Sequence, residues 1–276
     1  MKKVNAVRVA LLVVLIMILA ACSSDQGNEQ SGGNETITIS GSTSVGPLAE
    51  KLAMTYEEKE NVKIEVNQIG SSAGIKNAIT DVSQIGMSSR EIKQEELEQG
   101  LEELIIAYDG IAVVTHASNK VKDLTIDQVK QIFTGEITNW KDLGGEDLEI
   151  VVVSREDGSG SRDAFQEIVG YESSALIKQA IIANGNGNIK TTVATNEQAI
   201  GFISFEYMDD SVSPMSINGI SPTAENVLNE TYKISRPFIF VYKKDVPAAA
   251  QAFMDYILTP EAQEIVKASG AIPLTK

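Results

Sequence analysis

Ser154-Arg155-Glu156-Asp157-Gly158-Ser159-Gly160-Ser161-Arg162 lies between an apolar run, Ile150 to Val153, and a segment of helical character, Asp163 to Val169. Read physically, a strand stops here, the chain turns on glycine and serine, and a helix opens with backbone N–H groups that have no partner inside it. Such a turn is an anion cradle. Three kinds of donor can converge on one oxyanion: free N–H groups at the positive end of a helix, the hydroxyls of Ser159 and Ser161, and the planar guanidinium of Arg155 or Arg162. None of them is a nucleophile with a base beside it. An ordinary strand-to-helix loop with a serine N-cap would read the same way, so the weight falls on two further turns of this kind.

Working outward, Thr36-Ile37-Thr38-Ile39-Ser40 alternates like a strand and runs into Gly41-Ser42-Thr43-Ser44-Val45-Gly46-Pro47, after which Leu48, Leu52 and Tyr56 recur at helical spacing. Val62 to Ile69 alternates again, and Gly70-Ser71-Ser72-Ala73-Gly74 opens a helix through Ile75, Ala78 and Ile79. Three hydroxyl-rich turns, each following a strand and opening a helix, predict the carboxyl ends of strands in an open α/β sheet meeting at one crevice. A short strand from Val82 ends in Ser88, Ser89 and Arg90.

The rest of the chain predicts α/β layers. Glu91 to Glu103 reads as a charged, solvated helix, and Leu104 to Val114 as a strand buried on both faces. Asp109 interrupts that strand, and a carboxylate there needs a structural partner or a ligand. His116, the only histidine, has no metal-ligand spacing around it and reads as a loop residue. Thr125 to Phe133 is helical, capped by Asp123 or Thr125, and Trp140 sits in a loop as a packing residue. Leu148 to Val153 is the strand that delivers the opening motif. Beyond it, Asp163 to Val169 and Ser173 to Ala180 read as helices, 184–188 as a mobile loop or cleft rim, and Thr191 to Gln198 as a helix leading into a strand at 199–203. Ile234 to Tyr242 is a further strand, and Ala248 to Ala268 a long helix interrupted by Pro260.

At the start of the chain, Lys2, Lys3 and Arg8 precede an apolar run from Val9 to Ala21, the pattern of a secretory signal over 1–21. Leu19-Ala20-Ala21-Cys22 resembles a bacterial lipobox, which implies an extracytoplasmic protein anchored to the cell membrane by lipid, palmitate included, on Cys22. This is the only cysteine, so no disulfide framework is expected. Residues 22–35 have the composition of a flexible tether. Without the leader the chain has 20 basic against 38 acidic residues, the wrong balance for a nucleic-acid surface. Local donors can still bind an anion, because distant charges are screened beyond about 8 to 10 Å.

Taken together, Gly41-Ser42-Thr43-Ser44, Gly70 to Gly74, Ile85-Gly86-Met87-Ser88-Ser89-Arg90, Arg155 to Ser161 and Ser235-Arg236-Pro237 resemble the phosphate-binding lipoproteins (PstS type) of bacterial phosphate ABC importers. The resemblance implies an α/β fold with the two-lobed type II periplasmic-binding-protein architecture. Hinged lobes would comprise 36–115 with 217–276, and 116–216. It implies phosphate held by Thr43, Ser44 and Ser71 from one lobe and by Arg155, Ser159, Gly160 and Ser161 from the other, with Asp157 pairing Arg155 and with Ser42, Ser72 and Arg90 in support. Where better-known members have an aspartate to accept the proton of hydrogen phosphate, this chain has Ser89, which makes Asp109 the candidate substitute acceptor. The implied partners are inorganic phosphate and membrane permease subunits. A monomer without cofactor, metal or catalysis is expected. Other oxyanions (sulfate, molybdate, tungstate) are the alternative ligands. A hydrolase would need a Gly-x-Ser-x-Gly elbow, which Ser159 lacks, and His116 as its base; an adhesive surface lipoprotein would need no anion.

Overall fold

The computed structural model describes residues 35–274, so the leader, the Cys22 lipid site and most of the tether lie outside the described residues. Strand–turn–helix units build the first half: β1 (Glu35–Gly41) with α1 (Gly46–Glu57), β2 (Val62–Gln68) with α2 (Ser71–Ile79), and β3 (Ile85–Ser88) with the short α3 (Gln94–Leu97). β1 lies between β2 and β3 and is parallel to both. All three strands therefore end at the same edge of the sheet, where their hydroxyl-bearing turns follow. Gly41 permits the close approach of β1 and β3 there. Its φ is +144°, and a Cβ on it would run into the backbone of Met87.

β4 (Leu101–His116) is the strand both halves share. It is followed by β5 (Asp123–Leu124), α4 (Ile126–Thr134), β6 (Val151–Arg155), α5 (Gly160–Val169), β7 (Ile181–Ala183), α6 (Gly185–Ala194), β8 (Ala199–Ser204), β9 (Val212–Pro214), β10 (Ser216–Ile217) and α7 (Ala224–Leu228). β11 (Ser235–Lys243), α8 (Ala248–Ile257) and α9 (Pro260–Ala268) are the last of the described elements. Leu101–Gly110 of β4 pairs antiparallel with β11, and Ile111–Thr115 pairs antiparallel with β8, giving the order β2-β1-β3-β11-β4-β8-β6-β7.

Two main apolar cores flank that shared strand. One contains Ile37, Leu52, Met87, Ala107, Phe238 and Phe253. The other contains Ile111, Phe133, Trp140, Phe165, Phe202 and Ile234. The cores change over between Ala107 and Ile111 on β4 and between Ile234 and Phe238 on entry to β11, whereas the boundaries read from the sequence lay at 115/116 and 216/217. The difference has a plain cause: β4 runs through the changeover without a break.

Other elements differ from their sequence reading. The helix expected over Glu91 to Glu103 is only α3, because Gly100, at φ +88°, ends its turn and Leu101–Glu103 pair with Val241–Lys243. Ser173 to Ala180 holds a single 3-10 turn, Ser173–Ala175. The loop read at 184–188 is the start of α6, whose Asn186, Ile189 and Val193 turn inward on one face. Pro260 splits the last helix in two, with Thr259 Oγ1 accepting from Ala262 N at 3.3 Å. Among the described residues, no helix is long and apolar enough to cross a membrane.

Phe165 stacks on Phe202 at 4.1 Å between centroids and meets Phe133 edge-on at 4.9 Å. Phe165→Ala is expected to lower unfolding free energy by about 3 to 5 kcal/mol in urea titration.

Candidate anion-binding site

The hydroxyl turns meet. Ser44 Oγ, after β1, lies 2.8 Å from Ser161 Oγ in the first turn of α5, so the two halves touch through a hydrogen bond between residues expected on opposite sides. Ser42 Oγ donates to Ser89 Oγ at 2.9 Å, and Ser71 Oγ lies 3.4 Å from the same atom. Ser72 N donates to Gly158 O across the divide at 3.2 Å. Gly160 lies so close to the opposite half that a Cβ there would clash with Ser71 and with Ser89 Oγ. Ser42, Ser44, Ser71, Ser89, Ser159 and Ser161 are all buried. The first turns of α2, α5 and α6 supply Ser71, Ser161 and Asn186 to this cluster, and a first turn is where helical N–H groups lack partners.

Arg155 is the one arginine of the expected three whose guanidinium faces the cluster. Its Nη2 donates to Thr43 Oγ1 at 2.8 Å, across the divide. Its carboxylate partner is Glu156, through Nε and Nη2 at 2.8 Å each, and not Asp157. Asp157 stands at the exposed tip of the turn and takes Arg162 Nη1 at 2.6 Å instead. Burial works to raise the Glu156 carboxyl, but Arg155 and the Gly185 N–H outweigh it and hold the group below the usual carboxylate range. Arg162 also donates to Arg155 O at 3.2 Å and is used within its own half. Arg90 grips Glu96 with two bonds of 2.8 and 2.9 Å and pairs with Asp163 of α5 at 3.2 Å. It therefore joins the halves beside the cluster without entering it.

Asp109 has structural partners, one of the two roles that its place in the strand left open. Its Oδ2 accepts from Arg236 Nη2 at 2.9 Å, and its Oδ1 accepts from Ser204 Oγ at 3.0 Å and Phe205 N at 3.2 Å. Three of its roughly four acceptor positions are thus taken by the protein itself. Ser89, for its part, brings a neutral hydroxyl where a carboxylate was sought.

Asn186 was not singled out from sequence, yet it is central: buried, its Nδ2 donates to Ser44 Oγ at 2.9 Å and its Oδ1 accepts from Arg155 Nη1 at 3.4 Å. The Gly/Asn run around it gave the one usable hint, as a cleft rim. Glu156 and Arg236 stood inside quoted motifs without being given a role, and Ser204 was passed over, because only the fold brings it near the turns. His116 bonds Ser118 Oγ at 2.7 Å, in keeping with a local role.

Glu206 follows β8 and abuts Gly270 beyond α9. Burial above all, then the charge of Asp109, pushes its carboxyl up to about 7, against weaker pulls from Ser269, Lys51 and Arg236. A proton held in the folded state and released on unfolding stabilises the fold at low pH. Stability is therefore expected to fall as pH rises from the ordinary value of 4.5 through about 7. Glu206→Gln should remove that decline in urea midpoints compared at about pH 5 and about pH 8.

Comparison with known proteins agrees with this geometry. A family model described as "PBP superfamily domain" matches residues 26–261. The phosphate-binding protein PstS of Bacillus subtilis (strain 168) is 34% identical over 292 residues, covering 100% of this chain and 96% of its own length. A crystal structure of a putative phosphate ABC transporter substrate-binding protein with bound phosphate from Clostridium perfringens is 56% identical, with TM-score 0.86, over 87% of this chain and 100% of that one. An ABC-type phosphate transport receptor from Vibrio cholerae is 35% identical, with TM-score 0.76, over 86% of this chain and 99% of that one. The architecture is the two-lobed type II periplasmic-binding-protein fold. With full-length likeness added to the converging turns, the chain belongs to the PstS phosphate-binding family of the PBP superfamily.

Proposed function

We propose that this protein captures inorganic phosphate between its two lobes, outside the cytoplasmic membrane, and passes it to the permease subunits of an ABC importer. The observation that carries the reading is the cross-lobe meeting of Thr43, Ser44, Ser71 and Ser89 with Arg155, Ser161 and Asn186. The names of the phosphate-binding relatives reported above support it. A lipid on Cys22 would keep a monomer at the membrane surface, with the lobes free to turn about the crossing strands β4 and β11.

The energetics follow from the donor set. Hydrogen bonds to a charged group contribute about 1.5 to 3 kcal/mol each, and micromolar binding requires about 8 kcal/mol net. Five or six such bonds supply that after the anion is immobilised and the lobes close. Across the cluster, hydroxyls now bond one another as neutral pairs; bonds from the same donors to a dianion are roughly twice as strong. The anion thus strengthens the contact between lobes and shifts an open–closed equilibrium toward closure.

Ser89 keeps a second reading in play, another oxyanion such as sulfate. A carboxylate would repel a fully ionised anion, and a hydroxyl does not. Titration calorimetry with phosphate, followed by competition with sulfate, decides between them: displacement of phosphate by equimolar sulfate would overturn the phosphate assignment. Arg155→Ala is expected to weaken phosphate binding by about 100-fold or more, since it removes a charge and several donors. Gly160→Ala, which puts a methyl group against Ser71 and Ser89, should weaken it by at least about tenfold while leaving the fold intact, as read by circular dichroism.

A further inference from the structure

We propose that the buried Asp109–Arg236 pair on the crossing strands acts, through Ser204, as a positioning device for Asn186, so that the hinge orients a donor in the phosphate site. The proposal rests on the phosphate reading above and concerns how that site is held.

Asp109 on β4 and Arg236 on β11 stand opposite one another in register, where one core gives way to the other. Both are buried, at 0% and 2% exposure. A buried ion pair is weak evidence for stability, since apolar residues of similar volume serve at least as well. This pair is also incompletely matched: among the described residues, Arg236 Nε and Nη1 have no hydrogen-bond partner. Its use is better sought in what Asp109 holds. Oδ1 fixes the end of β8 by accepting from Ser204 Oγ and Phe205 N. The Phe205 ring in turn fills the space that a side chain at Gly110, next to Asp109, would occupy.

Ser204 then passes orientation onward. Its backbone N donates to Asn186 Oδ1 at 3.1 Å. An amide side chain has one acceptor end and one donor end, so an N–H facing the oxygen leaves the NH2 group facing the other way. That group donates to Ser44 Oγ in the opposite lobe, while Oδ1 also accepts from Arg155 Nη1. A displaced Ser204 would free Asn186 to flip, presenting an acceptor to the site where a donor belongs. Asp109 on this view touches no ligand, and it works through Asn186.

The test is a double-mutant cycle on the full-length protein, with inorganic phosphate as the titrant in calorimetry and ligand-free thermal stability measured alongside. Asp109→Asn and Asn186→Ala should each weaken binding by about tenfold, and the double variant should bind about as Asn186→Ala does, because the second change finds nothing left to misplace. Losses that multiply would overturn the proposal, as would an Asp109→Asn protein that binds like wild type. So would loss of phosphate-over-sulfate preference in Asp109→Asn that is independent of Asn186, the signature of a direct acceptor. Should Asp109→Asn fail to fold, Ser204→Ala keeps the ion pair and removes only the hydroxyl link. It should weaken binding several-fold in the wild-type background and not in Asn186→Ala, and equal losses in both backgrounds would overturn the relay. A wild-type chain that takes up no phosphate sinks the functional reading and the relay together, whereas a binding wild type with multiplying losses sinks the relay alone.

Discussion

An oxyanion taken out of water must have its oxygens supplied with donors by the protein, and no single loop carries enough of them. That constraint accounts for the arrangement of the whole chain. Parallel pairing of β1 with β2 and β3 brings the turns at Ser42–Ser44, Ser71 and Ser89 to one edge of the sheet. The parallel β6–β8 and β6–β7 pairs do the same for the turn at Ser159–Ser161 and for the start of α6. β4, continuous through both halves, and β11 against it let these edges face each other. Donors from one edge alone would leave part of the anion hydrated.

Charge is distributed by the same logic. The protein carries a net charge of −15, yet its buried arginines are assigned one by one. Arg90 is held by Glu96 and Asp163, Arg162 by Asp157, and Arg236 by Asp109. Arg155 is held by Glu156 and still reaches Thr43 across the divide. A buried guanidinium needs a carboxylate to tolerate desolvation, and the bidentate grip of Glu156 also orients its plane. Two neighbouring acidic residues could have taken this role. Glu156 takes it because Asp157 sits at the outer tip of the turn, 95% exposed.

The turns and their strands were legible because glycine, serine and apolar alternation report local geometry directly. That local pattern marked the turns, the family resemblance implied Thr43, Ser44, Ser71, Arg155, Gly160 and Ser161 within them as ligand contacts, and the structure brings these residues together with Ser89. What could not be read was tertiary. Asn186 looked like loop because glycine and asparagine are poor helix formers, and only packing of Ile189 and Val193 makes that stretch the start of α6. The partner of Asp109 lies 127 positions away on β11, a distance at which no local pattern speaks. The charged run after Arg90 has helical composition, but pairing with β11 claims its end for β4.

The most direct measurement is diffraction from crystals grown with phosphate. The account predicts tetrahedral density touching Thr43, Ser44 and Ser71 on one side and Arg155 and Ser161 on the other, with Asn186 in the same shell and Asp109 outside it. Density bound to one lobe alone, or remote from these residues, would contradict it.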